Sequence, residues 1–398
     1  MKRKSSIVEK VPAEEGLVWH RLSNEQEKRQ MRVIVIMAGG IGERFWPMSR
    51  GNHPKQLLTL TSSGQSLLAE AVQRSRQLVP TENIYVVTGR ALHSAIVEAD
   101  LGIPEDNILI EPAKRNTAGC LIFAAATILA RHRDKGPEEV TIGVFTADHR
   151  IPESSQFLET AKAALDEAEN TNSLITIGIQ PVRPETAYGY LEVEASSKRL
   201  NQNEKFPLYR VTSFHEKPDA ATAAKFIAGG HCYWNSGMFF WRLSTFQNEF
   251  NRANPILAET LEDLSDAIMA DDDHRAAAIV DAMPNISIDN ALMEKSDRIT
   301  VIPGNFLWDD LGAWDALSRT FPQDEQGNVS YGGPVLLDCS GTIVYNAPGA
   351  EKVAVAALGL EDMLVVVSSD AVLVMPKDRA QEVRAVVRAL RDRGASQV

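Results

Sequence analysis

One short stretch constrains the fold more than any other. Residues 33–37, following Arg32, are a continuous, largely β-branched apolar run, and they open directly on Ala38-Gly39-Gly40-Ile41-Gly42. A strand that is apolar on both faces belongs in the interior of a parallel sheet. A glycine loop at its end lets backbone N–H groups turn toward a phosphate. Two common phosphate loops do not fit. The dinucleotide fingerprint requires glycine or alanine three residues after Gly42, where Phe45 stands. The Walker A loop requires Gly-Lys followed by serine or threonine, which is missing here. What remains is a GGxGxR loop followed by Trp46-Pro47 and three cations, Arg44, Arg50 and Lys55. That pattern suits a third kind of triphosphate cradle.

Strand and helix patterns then alternate to about residue 180, which predicts an α/β sheet with parallel strands. Helical spacing marks 67–78, 117–130 and 155–169, and strands are expected at 84–88, 141–146 and 174–178. Beyond 180 the strands are expected to shorten and mix. Residues 255–282 read as helical, and 335–375 as several short strands with no helix between them. The final segment, Asp378–Arg393, reads as a helix with Asp378 as N-cap and Gly394 as its stop. A length of 398 residues allows two to three domains. The boundaries expected are a polar extension at 1–30, a catalytic domain at 31–325 and a small β-rich domain at 333–398, with Pro, Gly and polar residues clustered between them. Residues 1–30 carry seven Lys/Arg and five Asp/Glu, with few periodic apolar positions.

Composition excludes several classes. A net charge of −12 argues against a general nucleic-acid binder but leaves room for a locally basic pocket. The three cysteines, Cys120, Cys232 and Cys339, are too far apart for a zinc site or a disulfide framework. No apolar run approaches the 18 or so residues of a membrane span, and no secretory signal is visible, so the cytoplasm is expected.

Two aspartates stand apart in the chain. Asp148 ends a predicted strand, where ligands of open α/β sheets bind. Asp310 lies in Trp308-Asp309-Asp310-Leu311-Gly312. Together they could serve Mg²⁺, which takes one or two carboxylates plus phosphate oxygens, but spacing alone does not show that they meet. Asp309 reads as a solvated neighbour and His149 as structural. Asn116 reads as the N-cap of the alanine-rich helix.

Residues 38–57, AGGIGERFWPMSRGNHPKQL, resemble the signature of sugar-phosphate nucleotidylyltransferases, and the Phe-Trp-Pro and Pro-Lys-Gln forms resemble mannose-1-phosphate guanylyltransferases. The resemblance runs from about Met31 to Arg393. It implies an α/β fold, a Rossmann-like mixed sheet flanked by helices, with a small β-rich C-terminal domain ending in a helix. It implies Mg²⁺ as cofactor, on Asp148 and Asp310. Arg44, Lys55, Asp148, Lys217 and Asp310 would be catalytic, with Lys217 on the sugar phosphate. Ala38, Gly39, Gly40, Gly42, Glu43, Asn116 and Thr117 would bind the nucleotide, the last two from EPAKRNTA, similar to the family's EPxxRNTA. Three further segments resemble ETGYGY, FxEKP and WNSGMF, and imply Gly189, Glu216 and Asn235 on the sugar; Ala187 departs from the usual glycine. Glu294, from the stretch resembling SIDxxxxEK, joins the sugar set.

The implied reaction is GTP plus mannose 1-phosphate giving GDP-mannose and pyrophosphate, by direct in-line attack. Rival readings are the same chemistry on another pair, such as glucose 1-phosphate with dTTP or UTP, and a non-catalytic nucleotide-sugar sensor. A second, isomerase activity is not expected, since no histidine follows His274. The substrates are the expected partners, with neither nucleic acid nor membrane. A homodimer is compatible with the sequence, which does not establish it.

Overall fold

The computed structural model describes residues 30–61, 63–152, 154–194 and 199–398. The expected extension at 1–30 thus lies almost wholly outside the described residues. The first strand, β1 (Met31–Met37), is buried along nearly its whole length. It pairs in parallel with β2 (Ile84–Gly89) on one side and β4 (Val140–Thr146) on the other. Beyond β2 lies β3 (Ile108–Glu111), again parallel. This half is the parallel α/β unit that the alternating pattern predicts.

The other half is mixed. It holds β5 (Leu174–Ile179), β6 (Tyr190–Val193), β7 (Tyr209–His215), β8 (Cys232–Arg242) and β9 (Ile299–Gly304). The nine strands run in the order β3-β2-β1-β4-β8-β5-β9-β7-β6. Strands do not simply shorten after residue 180: β8 has 11 residues and runs antiparallel between β4 and β5. It is irregular. Its register against β5 shifts between Thr176 and Gly178, and Gly237 takes φ +69°. The bulge turns Asn235 toward the cleft at the strand ends.

Helices cover both faces. The alanine-rich helix Asn116–Arg131 is sandwiched between the sheet and the helix Pro255–Met269. On the opposite face the helix Ser154–Asn170 packs on β4, β5 and β8. Several helices start on side-chain caps: Ser66 accepts the Ala69 N–H and Asp219 the Thr222 N–H.

The C-terminal strands are β10 (Val329–Tyr331), β11 (Val335–Leu337), β12 (Ile343–Asn346), β13 (Ala356–Leu358), β14 (Met363–Val367) and β15 (Val372–Pro376). β10, β12 and β14 stack in parallel on one face, and β11 with β13 on another, which is a short β-coil. β15 closes the larger face antiparallel. The coil starts at Val329, inside the polar cluster read as a boundary. There the Asn328 side chain joins neighbouring rungs through Cys339 O and Thr342 N–H.

The final helix also differs from expectation at its start. Residues Lys377–Glu382 form a tighter 3₁₀ turn, and the α-helix proper is Val383–Asp392 with no side-chain cap, so Asp378 is not its N-cap. Gly394 follows with φ +68°. Phe45, Trp46, Leu67, Leu311, Trp314 and Leu317 share one core with Ile343, Tyr345, Leu364, Val383 and Val387. The C-terminal coil therefore packs directly beneath the glycine loop. The three cysteines are free and buried.

Candidate active site

The glycine loop is anchored before it turns. Ala38 N–H bonds to Val87 O at 2.8 Å, and Ala38 O accepts from Gln56 and Thr88. Gly40 stands open, with nothing near its Cα side. Gly42 takes φ +71°, and a Cβ there would lie 2.2 Å from the Lys55 Cβ. The loop thus wraps Lys55, whose own N–H bonds back to Ile41 O at 3.1 Å. Lys55 is 5% exposed. Its Nζ donates to the Asp148 carboxylate at 2.8 Å and to Asp310 O at 2.6 Å.

The segments that carry the two distant aspartates are brought together by backbone. Arg150 and Asp309 form an isolated antiparallel bridge, bonding N–H to O both ways at 2.9 and 3.1 Å. This lays the Trp308–Asp310 segment beside the end of β4. The Asp310 carboxylate then accepts from the Tyr188 hydroxyl at 2.6 Å and from Gly312 N–H at 3.1 Å. Burial and the Asp310 charge push the Tyr188 hydroxyl well above its ordinary range, so it stays a donor. Burial alone would raise the Asp148 carboxyl, but the Lys55 ammonium outweighs it and holds the group below its usual value. Asp309 is not a solvated neighbour. It is buried, pairs with Arg319 at 2.8 Å and accepts the Leu311 N–H, which holds Leu311 at φ +46°. Its charge is spent on the turn that presents Asp310.

His149 packs edge-on against Trp308 and also lines the cleft. The Trp308 indole N–H donates to His149 Nδ1 at 3.1 Å, which makes Nδ1 the acceptor and leaves the proton of the neutral ring on Nε2. Burial lowers its pKa and keeps it neutral.

The opposite wall carries the predicted sugar residues. Gly189 O accepts the Asn235 N–H at 2.8 Å. Asn235 Oδ1 accepts from Thr176 and from Gly237 N–H, and its amide donates to Asp289 at 3.2 Å. Glu216 reaches Gly189 so closely that a Cβ there would lie 2.8 Å from Oε2. Burial first, then the Glu216 charge, push the Asp289 carboxyl up to about 7. Lys217 sits at φ +47° with its side chain 63% exposed, paired to Glu216 at 2.7 Å. Gly189, Glu216, Asn235, Asp289, His149 and Asp310 all line one cleft of about 210 Å³.

Not every predicted residue joins it. Glu294 accepts from Asn290 at 2.8 Å and lines a separate groove with Phe214 and Arg210, whereas Asp289 from the same segment faces the cleft. Arg50 is drawn away to Asp370 at 2.7 Å. Arg44 and Glu43 are bonded to the C-terminal turn and helix, Arg44 to Gln381 and Glu43 to Arg391. Asn116 is no N-cap: it occupies the first turn at φ +59°, its side chain accepting the neighbouring Thr117 N–H. The Thr117 hydroxyl accepts the Ile288 N–H at 2.8 Å, tying the helix start to the Ser287–Glu294 segment.

Sequence reasoning gives Glu111 no role of its own. It ends β3, is 8% exposed and lies 3.5 Å from a Cβ placed on Gly39. Burial pushes its carboxyl up to about 7, with Lys114 opposing. Its sequence signal is weak, because any glutamate at a strand end looks alike until its burial is known.

The arrangement puts the Lys55 ammonium behind the glycine loop, on Asp148 and Asp310, and lines the cleft with the polar groups of Glu216, Asn235 and Asp289. Among the described residues no serine or cysteine is hydrogen-bonded to a histidine, and the cysteines are buried. That is a site for positioning and charge neutralisation of a phosphoryl group. The fold and this cleft define a nucleotide-transferring α/β enzyme with an appended β-helix. The chain belongs to the nucleotidyl transferase family, whose model matches residues 33–327, and a MannoseP isomerase/GMP-like beta-helix domain matches residues 332–390. Xanthan biosynthesis protein XanB of Xanthomonas campestris pv. campestris (strain B100) is 35% identical over 371 residues, which is 91% of this chain and 74% of that one. A mannose-1-phosphate guanylyltransferase of Escherichia coli is 33% identical, over 90% of this chain and 75% of its own. The crystal structure of a mannose-1-phosphate geranyltransferase from Thermus thermophilus superposes with a TM-score of 0.77 at 35% identity, covering 90% of this chain and 99% of that one. Enzymes of this family generally use a divalent metal. No helix among the described residues is long and apolar enough to cross a membrane.

Proposed function

We propose that this chain transfers GMP from GTP to mannose 1-phosphate, giving GDP-mannose and pyrophosphate. The observation that carries the reading is the Lys55 ammonium, which joins the phosphate loop to Asp148 and Asp310 at 2.8 and 2.6 Å. The names of the relatives supply the sugar and the base. A phosphate oxygen of mannose 1-phosphate attacks the α-phosphorus in line, and the bond to the β-phosphate oxygen breaks. Lys55 and Arg44 stabilise charge on the departing pyrophosphate. Lys217, exposed beside Glu216, holds the attacking phosphate as a point charge. Glu216, Asn235 and Asp289 take the sugar hydroxyls.

Asp148 and Asp310 offer a hard, all-oxygen donor set, which fits Mg²⁺, a cation that takes one or two carboxylates plus phosphate oxygens. When bound, the cation would neutralise charge on the α-phosphate. Glu111 supports guanine. A carboxylate accepts from the N1–H and N2–H₂ donors of guanine, an edge that adenine lacks.

The test is pyrophosphate release with Mg²⁺ across GTP, ATP, UTP and dTTP against mannose 1-phosphate and glucose 1-phosphate. A dominant GTP–mannose 1-phosphate signal is expected. Activity centred on another pair keeps the chemistry and overturns the substrates, and no release from folded protein favours a non-catalytic sensor.

A further inference from the structure

The last helix, Val383–Asp392, lies against the turn Glu43–Phe45 that follows the glycine loop. Val383 and Val387 point into the shared core. Arg384, Arg388 and Arg391 recur at i, i+4 and i+7, so they share one stripe of the helix. Two contacts fix where that stripe faces. Arg391 reaches Glu43 at 3.1 Å, and Gln381, in the turn leading into the helix, accepts from Arg44 Nη1 at 2.6 Å. Arg384 lies between those anchors along the chain. Its charge acts on Arg44, adding to burial in lowering the guanidinium's pKa.

Most cations around this loop already have a carboxylate. Arg50 has Asp370, Lys55 has Asp148 and Arg391 has Glu43. Arg44 ends on a neutral amide, and among the described residues Arg384 forms no ion pair within 4 Å. The carboxylates of Asp310, Asp148 and Asp315 act on Arg44 through space, and among the described residues none forms an ion pair with it within 4 Å. Two guanidinium groups carried on packed elements, neither with a carboxylate partner, repel each other. On the lip of a phosphate loop they form the half of a site that an anion completes, and guanidinium is the side chain best shaped to grip phosphate.

We propose that Arg384 is a phosphate-binding residue of the active site, gripping with Arg44 the β- and γ-phosphates that leave as pyrophosphate. The C-terminal coil then contributes directly to the chemistry. The inference rests on the nucleotidyl-transfer reading and goes beyond it by adding a residue from the other domain.

The test uses the full chain, with Arg384→Ala, Arg384→Lys and, as a control on the same helix end, Arg393→Ala. Affinity for pyrophosphate in the presence of Mg²⁺ is read by calorimetry, alongside affinity for GDP-mannose, which lacks the leaving group. Arg384→Ala is expected to weaken pyrophosphate binding by about 10- to 100-fold, the loss of one charged hydrogen-bonded contact. GDP-mannose affinity and Tm stay unchanged, Arg384→Lys falls between, and Arg393→Ala matches wild type. KM for GTP rises while KM for mannose 1-phosphate does not. Pyrophosphate binding by Arg384→Ala as tight as wild type overturns the inference and leaves the transfer reading standing. Wild-type protein that binds neither pyrophosphate nor GTP overturns both.

Discussion

Gly42 and Lys55 are packed back to back: a Cβ on Gly42 would stand 2.2 Å from the Cβ of Lys55 and 3.3 Å from its Cα. Both obstacles are close to backbone, so neither can swing aside. Gly42→Ala must therefore displace Lys55 from Asp148 and Asp310, and it also forces alanine to φ +71°. The backbone strain costs about 1–2 kcal/mol, and the overlap adds about 1–3 kcal/mol. Turnover is expected to fall at least about 100-fold, of the order seen when one charge-stabilising group is lost, with Tm lowered by several degrees. Pyrophosphate release and a thermal melt check both. Wild-type turnover would remove Lys55 from its proposed role.

Asp310→Asn keeps an oxygen for Tyr188 and Gly312 N–H but removes the charge. Folding is expected to survive, with Tm close to wild type. Turnover should fall by about 10²–10³-fold, as for the loss of one preorganised charge. A folded variant with near-normal turnover would take Asp310 off the proposed metal site.

Asp289 makes stability depend on pH in a defined direction. Its carboxyl is raised to about 7 in the folded chain, against about 3.9 when unfolded. The folded state therefore penalises the ionised form. That penalty grows as pH rises from about 4 to 7 and is complete above it. Asp289→Asn removes it. The variant's Tm advantage over wild type is expected to be small at pH 4.5 and largest at pH 8. A difference that is the same at both values contradicts the assignment.

Glu111→Gln replaces an acceptor of two donors by a group that must also donate. KM for GTP is expected to rise by about 10- to 100-fold, the cost of one charged hydrogen bond, while KM for ATP changes little. Equal effects on both nucleotides would mean that Glu111 supports the loop and does not read the base.

Gly189→Ala would set a Cβ 2.8 Å from the Glu216 carboxylate and 3.4 Å from the Asn235 Cβ. The carboxylate end can shift, so the fold should hold. KM for mannose 1-phosphate is expected to rise about tenfold, which is about 1.4 kcal/mol, with KM for GTP unchanged. An equal rise for both substrates would place the disturbance outside the sugar wall.

Much of the architecture is legible in the chain itself. The apolar run of β1 declares a buried parallel strand, because a strand covered on both faces has no polar face to show. The helix periodicities and the glycine loop are equally local. Local signals mislead where they have a distant competitor. Asn116 carries N-cap chemistry, yet its side chain turns to Thr117 N–H. Asp309 looks solvated beside Asp310, yet Arg319 and the Leu311 N–H bury it. Glu294 and Asp289 occupy one motif, and only the short helix at Ile288–Ala291 decides which of them faces the cleft.

The sequence by itself determined the strand–loop–helix order, the glycine loop that ends β1 and the family resemblance, since these rest on spacing, propensity and residue type. Tertiary structure alone decided that the Asp309–Asp310 segment lies beside the end of β4, through a backbone bridge between Arg150 and Asp309, with Lys55 bonded to the Asp148 carboxylate and to Asp310 O. It decided that the C-terminal helix closes on the glycine loop through Gln381 and Arg391. It also decided that Glu111 is buried beside Gly39. Each of these joins segments far apart in the chain. Their pairing is set by how the whole core packs, and no local pattern of residues encodes it.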